Sequence, residues 1–382
     1  MADTSFLDWP FFEDRHRKLH QQLEDWCTVN LPVDHSDVDA ACKSLVANLG
    51  AGGWLTHSAI DPDAPERLDV RTLCLIRETL ARHDGLADFA FAMQGLGTGA
   101  LSLYGSDEQR QWLHKTRAGE ALSAFALSEP KSGSDVANIE TTATLKGDSY
   151  VIDGEKTWIS NGGIADFYIV FARTGEGPGG RGLSAFLVEA DRQGLEITER
   201  LETIAPHPLA RITFNNLQVP SSALIGEAGK GFAIAMAVLD IFRSSVGAAA
   251  LGFARRAMDE SVKRANERQL FGAPMSELQM VQGHIADMAL DIDAAALLIY
   301  RAGWVRDNGA ERVTREAAMA KLFATDQAQI IIDKAVQIHG GDGVRKGHII
   351  EQLYREIRAL RIYEGASDVQ KVIIARQVLN GG

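Results

Sequence analysis

Between residues 123 and 228 the apolar pattern of the chain changes its period, and this limits the fold more than any other feature. On either side, hydrophobic residues recur three and four apart, as on one face of a helix. Inside the block, YVIDGEKTWIS, DFYIVFART, LSAFLVEA and RITFNNLQVP are short and rich in β-branched and aromatic residues, with Gly, Asp or Asn turns between them. Several lie close together without intervening helices, so a compact antiparallel, barrel-like sheet is expected. The expected fold class is α+β: an N-terminal helical domain over residues 1–121, a middle β domain over 122–229, and a C-terminal four-helix bundle over 230–382.

The helical regions carry their own signals. Ser106 and Gln109, in GSDEQRQWL, form the S-x-x-Q capping pattern that opens a helix. Val281, Ile285, Met288, Ile292, Ala295, Ile299 and Ala302 make a stripe suited to packing along a neighbouring helix. Residues 231–267, 313–339, 348–362 and 367–379 complete the C-terminal set. Ser367 and Gln370 repeat the capping pattern, which predicts a helix start there and leaves Glu364 on a short turn.

With 46% hydrophobic and 24% charged residues in 382, the composition is that of a globular protein. A net charge of -12 disfavours nucleic acid and anionic membranes as partners. Cys27, Cys42 and Cys74 show no C-x-x-C spacing and form an odd set, as in a reducing compartment. MADTSFLDWPFFEDRH has neither a basic start nor a sustained apolar run, so no secretory or transit segment is expected. No apolar run is expected to span a bilayer. A cytoplasmic location follows.

Two signals for bound groups fail. His16 and His20 have the spacing of a helical metal pair but no third ligand, so an exposed amphipathic face is expected and no metal. GEGPGGRG (175–182) joins two strands and GLGTG (95–99) follows a helical pattern, so neither is a phosphate loop or a dinucleotide fingerprint.

Four stretches carry more. FALSEPKSGSDVA (125–137) gathers hydroxyls, a carboxylate and Gly133. GEKTWISNGG (154–163) puts Trp158 and Ser160 two apart on a strand, hence on one side of the sheet, where they could support a planar heterocycle. ERQLFG (267–272) sets Arg268 beside Phe271, suited to a phosphate and an adenine or equally to a helix cap. QIHGGDG (337–343) ends a helix with Gly340 and Gly341, open to close approach by a ligand or serving as a C-cap.

Together and in this order, these stretches and the Tyr-Glu-Gly around Glu364 resemble the acyl-CoA dehydrogenase family of flavoenzymes, from about residue 85 to the C-terminus. The resemblance implies FAD held between the sheet domain and the C-terminal bundle. Phe125, Leu127 and Ser128 would meet the isoalloxazine edge, Trp158 would flank the ring and Ser160 would bond near N5. Arg268 and Phe271 would reach the pyrophosphate and adenine of a neighbouring subunit's FAD, completed by Gln337, Gly340 and Gly341, with Ala366 and Asp368 also at the cofactor. Ser134 would lie by the CoA thioester arm and the cofactor, while Asp240, Phe242, Arg243 and Gly365 would line the substrate.

The implied reaction is dehydrogenation of an acyl-CoA to its trans-2-enoyl thioester. Glu364 is then the base, because a desolvated carboxylate with a raised pKa suits a weakly acidic C–H bond. The alternative base position of the family, just before Arg243, holds Phe242, which accepts no proton. Implied partners are an electron-transfer flavoprotein and further copies of the chain, as homodimer or homotetramer. Ala366, Asp368 and Leu270 depart from the family pattern by losing groups that could bond FAD. An oxygen-using oxidase-like enzyme and a catalytically silent scaffold of the same fold are the alternatives. Phe91, Met93, Ile241 and Phe242 favour a short, branched or ring-bearing acyl group.

Overall fold

The change of period at residue 123 is where the first helices give way to strands. The computed structural model describes residues 3–380. Five helices come first: α1 (Asp14–Asn30), α2 (Val38–Ala51), α3 (Val70–His83), α4 (Gly85–Tyr104) and α5 (Asp107–Arg117). Ser106 and Gln109 close the expected capping box, with the Gln109 N–H donating to Ser106 Oγ at 3.3 Å and the Ser106 N–H to Gln109 Oε1 at 3.1 Å. Eight strands follow: β1 (Ser123–Ala126), β2 (Thr142–Lys146), β3 (Ser149–Ser160), β4 (Phe167–Arg173), β5 (Leu183–Glu189), β6 (Leu195–Arg200), β7 (Leu209–Pro220) and β8 (Leu224–Ile225). Helix α6 (Gly231–Glu267) leads to a hairpin of β9 (Gln269–Leu270) and β10 (Ala273–Pro274). Helices α7 (Gln279–Asp307), α8 (Thr314–His339), α9 (Ile349–Leu360) and α10 (Ser367–Leu379) end the fold.

The chain forms two compact units. One comprises residues up to Pro32, Asp69–Asp88 and residues from Arg243 on; the other comprises Val33–Leu68 and Phe89–Phe242. In the second unit the strands pair in the order β6-β7-β3-β2-β4-β5-β8, with β1 beside β4. Most pairs are antiparallel, but β1 runs parallel to β4 (Ser123 opposite Phe167), and β2 meets β4 in parallel at Thr142 and Arg173. The sheet is therefore mixed, and the ends of its path do not pair. Long connections allow this, since parallel neighbours need a crossover of a dozen or more residues and 127–166 supplies one between β1 and β4. Tyr168, Val170, Phe186, Ile152, Ile212 and Phe214 fill its core.

In the first unit, α8 packs against α7, α9 and α10, and α3 against α1 and α7. Met288, Ile292, Ala295, Ile299 and Ala302 of the predicted stripe are buried. Two expectations are corrected. Helix α6 is long and apolar enough to cross a bilayer by length and composition, yet 89% of its most apolar window is buried. A helix apolar on all sides is a core helix when the protein covers it. His16 and His20 are also buried, not on an exposed face. His16 Nδ1 accepts from the Glu13 N–H at 3.0 Å and so caps α1.

Candidate active site

The turn between α9 and α10 holds Glu364. Its backbone is left-handed at two successive residues, with φ of 51° at Glu364 and 94° at Gly365. The first is an unfavourable conformation for a side chain with a Cβ, and the second is one that glycine adopts freely. The turn is fastened from both sides. Lys321 Nζ, from α8, donates to the Gly365 carbonyl at 2.8 Å. Gln370 Nε2 donates to the same carbonyl at 2.8 Å and to that of Glu364 at 3.3 Å. Ser367 Oγ and Arg361 Nε both donate to Asp326 Oδ1, at 2.8 and 2.7 Å. The capping box expected at Ser367 and Gln370 does not form. The N-cap is Ala366, without a side-chain bond, because Ser367 is committed to Asp326 and Gln370 to the turn carbonyls.

Glu364 is half-buried as a residue, but its Oε2 is out of reach of solvent and has no hydrogen-bond partner among the described residues. Burial pushes its pKa up, because charge is disfavoured away from water. Arg77, Lys321 and Arg243 pull it back down, and Asp88 adds to the rise. Arg77 is itself buried and fixed, with Nε and Nη2 each donating to Asp88 at 2.8 Å and Nη1 donating to Ser245 Oγ at 3.0 Å. Burial lowers the Lys321 ammonium to about 8, against the attraction of Glu364 and Asp326. A dehydrated carboxylate with a free oxygen and a fixed cationic surround is equipped to take a proton from a weak carbon acid.

The sheet unit presents the other predicted positions. Trp158 has a φ of 60° and is 58% exposed. The ladder between β3 and β7 shifts register between Lys156 and Ile159, so Trp158 does not sit in regular strand alternation. It and Ser160 are nevertheless the more open residues here, alternating with buried Thr157, Ile159 and Asn161. Phe125 and Ser128 are half-buried, Leu127 is buried and Ser134 is exposed. Among the described residues, the hydroxyls of Ser128, Ser134 and Ser160 find no hydrogen-bond partner. Sequence reading missed the support beneath them. Lys156, fully buried, donates to Glu129 at 2.8 Å and to the Leu127 carbonyl at 3.0 Å, while the Ser128 carbonyl accepts from the Thr157 N–H at 3.0 Å. Asp240 and Phe242, also in this unit, are buried, and Phe242 packs where an added Cβ on Gly95 would come within 2.5 Å of its ring.

In the helical unit, Phe271 and Gly272 form the two-residue turn of the β9–β10 hairpin, both left-handed, which suits the twist of a tight hairpin. Phe271 is 95% exposed. Arg268 is exposed and has no acidic partner among the described residues. Gly340 caps α8 with a φ of 60°, and neither it nor Gly341 has an atom within 4 Å of where a Cβ would stand. Gln337 and Asp368 are exposed, Ala366 and Gly365 half-buried, and Arg243 buried.

A dehydrated carboxylate on a clamped turn has the chemistry of an acid–base group, and comparison with known proteins gives the family. Residues 124–217 match the acyl-CoA dehydrogenase middle domain, and 229–379 the acyl-CoA dehydrogenase C-terminal domain. The chain is 36% identical over 377 residues to the 3-(aryl)acrylate reductase of Clostridium sporogenes, covering 97% of this chain and 100% of that protein. It is 39% identical over 348 residues to the cyclohexane-1-carbonyl-CoA dehydrogenase of Geobacter metallireducens, 90% of each. The solved butyryl-CoA dehydrogenase of Megasphaera elsdenii matches with a TM-score of 0.88 and 28% identity, over 96% of this chain and 99% of that one. The chain belongs to the acyl-CoA dehydrogenase family: it is a flavoprotein oxidoreductase of acyl-CoA thioesters, with FAD as its cofactor.

Proposed function

We propose that Glu364 is the base of the dehydrogenation, taking the α-proton of the acyl thioester as the trans-2-enoyl product forms. The observation that carries this reading is the buried, unpartnered Oε2 on a left-handed turn held by Lys321 and Gln370. Arg77, Lys321 and Arg243 keep the carboxylate available despite its burial. FAD, when bound, supplies the acceptor for the hydride that leaves the β-carbon.

The chain's residues fit such a group. Trp158 and Phe271 offer exposed rings on left-handed backbone, Gly340 and Gly341 leave open space, and Arg268 has a free guanidinium for phosphate. In the sheet unit we assign Phe125, Leu127, Ser128, Ser134, Trp158 and Ser160 to the cofactor. In the helical unit we assign Arg268, Phe271, Gln337, Gly340, Gly341, Ala366 and Asp368. Ser134, Asp240, Phe242, Arg243 and Gly365 are assigned to the substrate. The division 1–121, 122–229 and 230–382 is the one this reading uses. Buried Phe91, Met93, Ile241 and Phe242 support a short, branched or ring-bearing acyl group.

An electron-transfer flavoprotein is the proposed acceptor, supported by family membership. A homodimer or homotetramer is supported by exposed Phe271 and by Leu290, Leu297 and Trp304, spaced by sevens along α7. The net charge of -12 supports neither nucleic acid nor membrane as a partner, and three buried free thiols support a cytoplasmic setting. The protonated carboxyl would serve the reverse reduction, the direction for which the Clostridium relative is named; the redox partner sets the direction. The test is anaerobic mixing with a panel of acyl-CoAs. The yellow holoenzyme bleaches, and Glu364→Gln keeps the flavin but does not bleach. A Glu364→Gln protein that bleaches at the normal rate removes Glu364 from the chemistry.

A further inference from the structure

Lys321 has a role that the reaction alone does not assign. It is fully buried on α8, and the one hydrogen bond its ammonium makes among the described residues goes to a neutral carbonyl, that of Gly365. An ammonium taken out of water normally needs an ion pair in hydrogen-bond contact, because its desolvation is costly. The bond it makes holds the second residue of the left-handed pair, one peptide from the base. Gln370 reaches the same carbonyl, and Asp326, one turn and a residue further along α8, holds Arg361 and Ser367 at the two ends of the turn.

We propose that Lys321 is a positioning residue: its bond to the Gly365 carbonyl fixes the direction of the Glu364 carboxylate, and its charge keeps that carboxylate ionised. This rests on Glu364 being the base. The groups facing Glu364 are Arg77 on α3, Asp88 on α4, Arg243 on α6 and Lys321 on α8, with Tyr363 adjacent on the turn. Those facing Lys321 are Glu364, Asp326, Arg243 and Arg361. Arg243 belongs to both sets, and Lys321 also bonds the turn backbone itself.

The test compares FAD-loaded wild type, Lys321→Met and Lys321→Gln, with thermal unfolding as a check on folding and infrared titration of the carboxyl groups as a direct readout. Lys321→Met is expected to lower kcat about 100-fold, the scale of a reacting group displaced by about 1 Å, with KM for the acyl-CoA within about 2-fold. The acid limb of its kcat profile moves to higher pH, and the carboxyl band assigned through Glu364→Gln moves with it. Lys321→Gln keeps a donor without the charge, so it recovers part of kcat but not the position of the acid limb. Should Lys321→Met fail to fold, Lys321→Gln is read by the same limb. A folded variant with kcat within about 3-fold of wild type and an unmoved acid limb overturns the proposal. Glu364→Gln in parallel keeps the two readings apart: if it retains turnover, the base assignment fails, whatever Lys321 does.

Discussion

Replacing Gly365 by Ala tests how far the proposed base, Glu364, depends on its turn. At a φ of 94°, a Cβ costs about 1–2 kcal/mol from contact with the backbone alone. The new methyl also lands on Gln370 Nε2, displacing the amide that donates to the carbonyls of Glu364 and Gly365. Losing those bonds adds about 1 kcal/mol each, giving a total of about 3–4 kcal/mol. Gly272→Ala is the control, since its φ of 86° imposes the backbone strain while nothing lies within 4 Å of the added Cβ. Denaturant unfolding of the two apo variants separates strain from lost hydrogen bonds, and stopped-flow reduction by substrate reads the base. The expected result is that Gly365→Ala is the less stable by about 2 kcal/mol and reduces its flavin about 100-fold more slowly. Equal stability of the two variants, or a normal reduction rate in Gly365→Ala, would refute the account of the turn.

Further outcomes follow from the same geometry. Because burial raises the Glu364 pKa, flavin reduction should fade on acidification at a higher pH than an ordinary glutamate would set, as a pH series of reduction rates would show. The sign for stability is opposite. The fold favours the neutral carboxyl, so its contribution is full below the unfolded pKa and lost as pH rises through the folded one, and Glu364→Gln should flatten that part of the stability profile. Glu129→Ala strands the Lys156 ammonium and releases the Glu140 and Thr141 N–H groups, at a cost of about 3–5 kcal/mol; thermal unfolding like that of wild type would contradict it. Arg268→Ala should lose FAD on dilution faster than wild type, measured by flavin fluorescence in the filtrate, and equal retention would overturn the proposed placement of Arg268 at the phosphates.

Much of this was legible in the residues, for physical reasons that also mark the limit. The strands β3, β4, β5 and β7 and the helices α6 to α10 announce themselves because burial of one face writes a period into the sequence. β6, LEITER, escaped because it is largely exposed and only weakly alternating. The turn carrying Glu364 could be located, but its fastening could not, since the capping pattern at Ser367 and Gln370 has a competing use in three dimensions. Lys321 left a readable trace. It shares the α8 stripe of Ala317, Ala324, Ala328 and Ile331, all buried, and a lysine on an apolar face at that spacing asks for a partner. The pairs Arg77–Asp88 and Lys156–Glu129 left no such trace. α3 is buried continuously from Val70 to Ala81, and Glu129 lies outside any periodic segment.

The conformation of Glu364 also bears on how such a chain could change over generations. Glycine at that position would adopt the same backbone without strain and leave no acid to dehydrate, so the simplest loss of chemistry is also a relief for the fold. With Glu364 as the proposed base, turnover runs against the thermodynamic interest of its turn, and relaxed selection would let a more robust but inert descendant appear in one step.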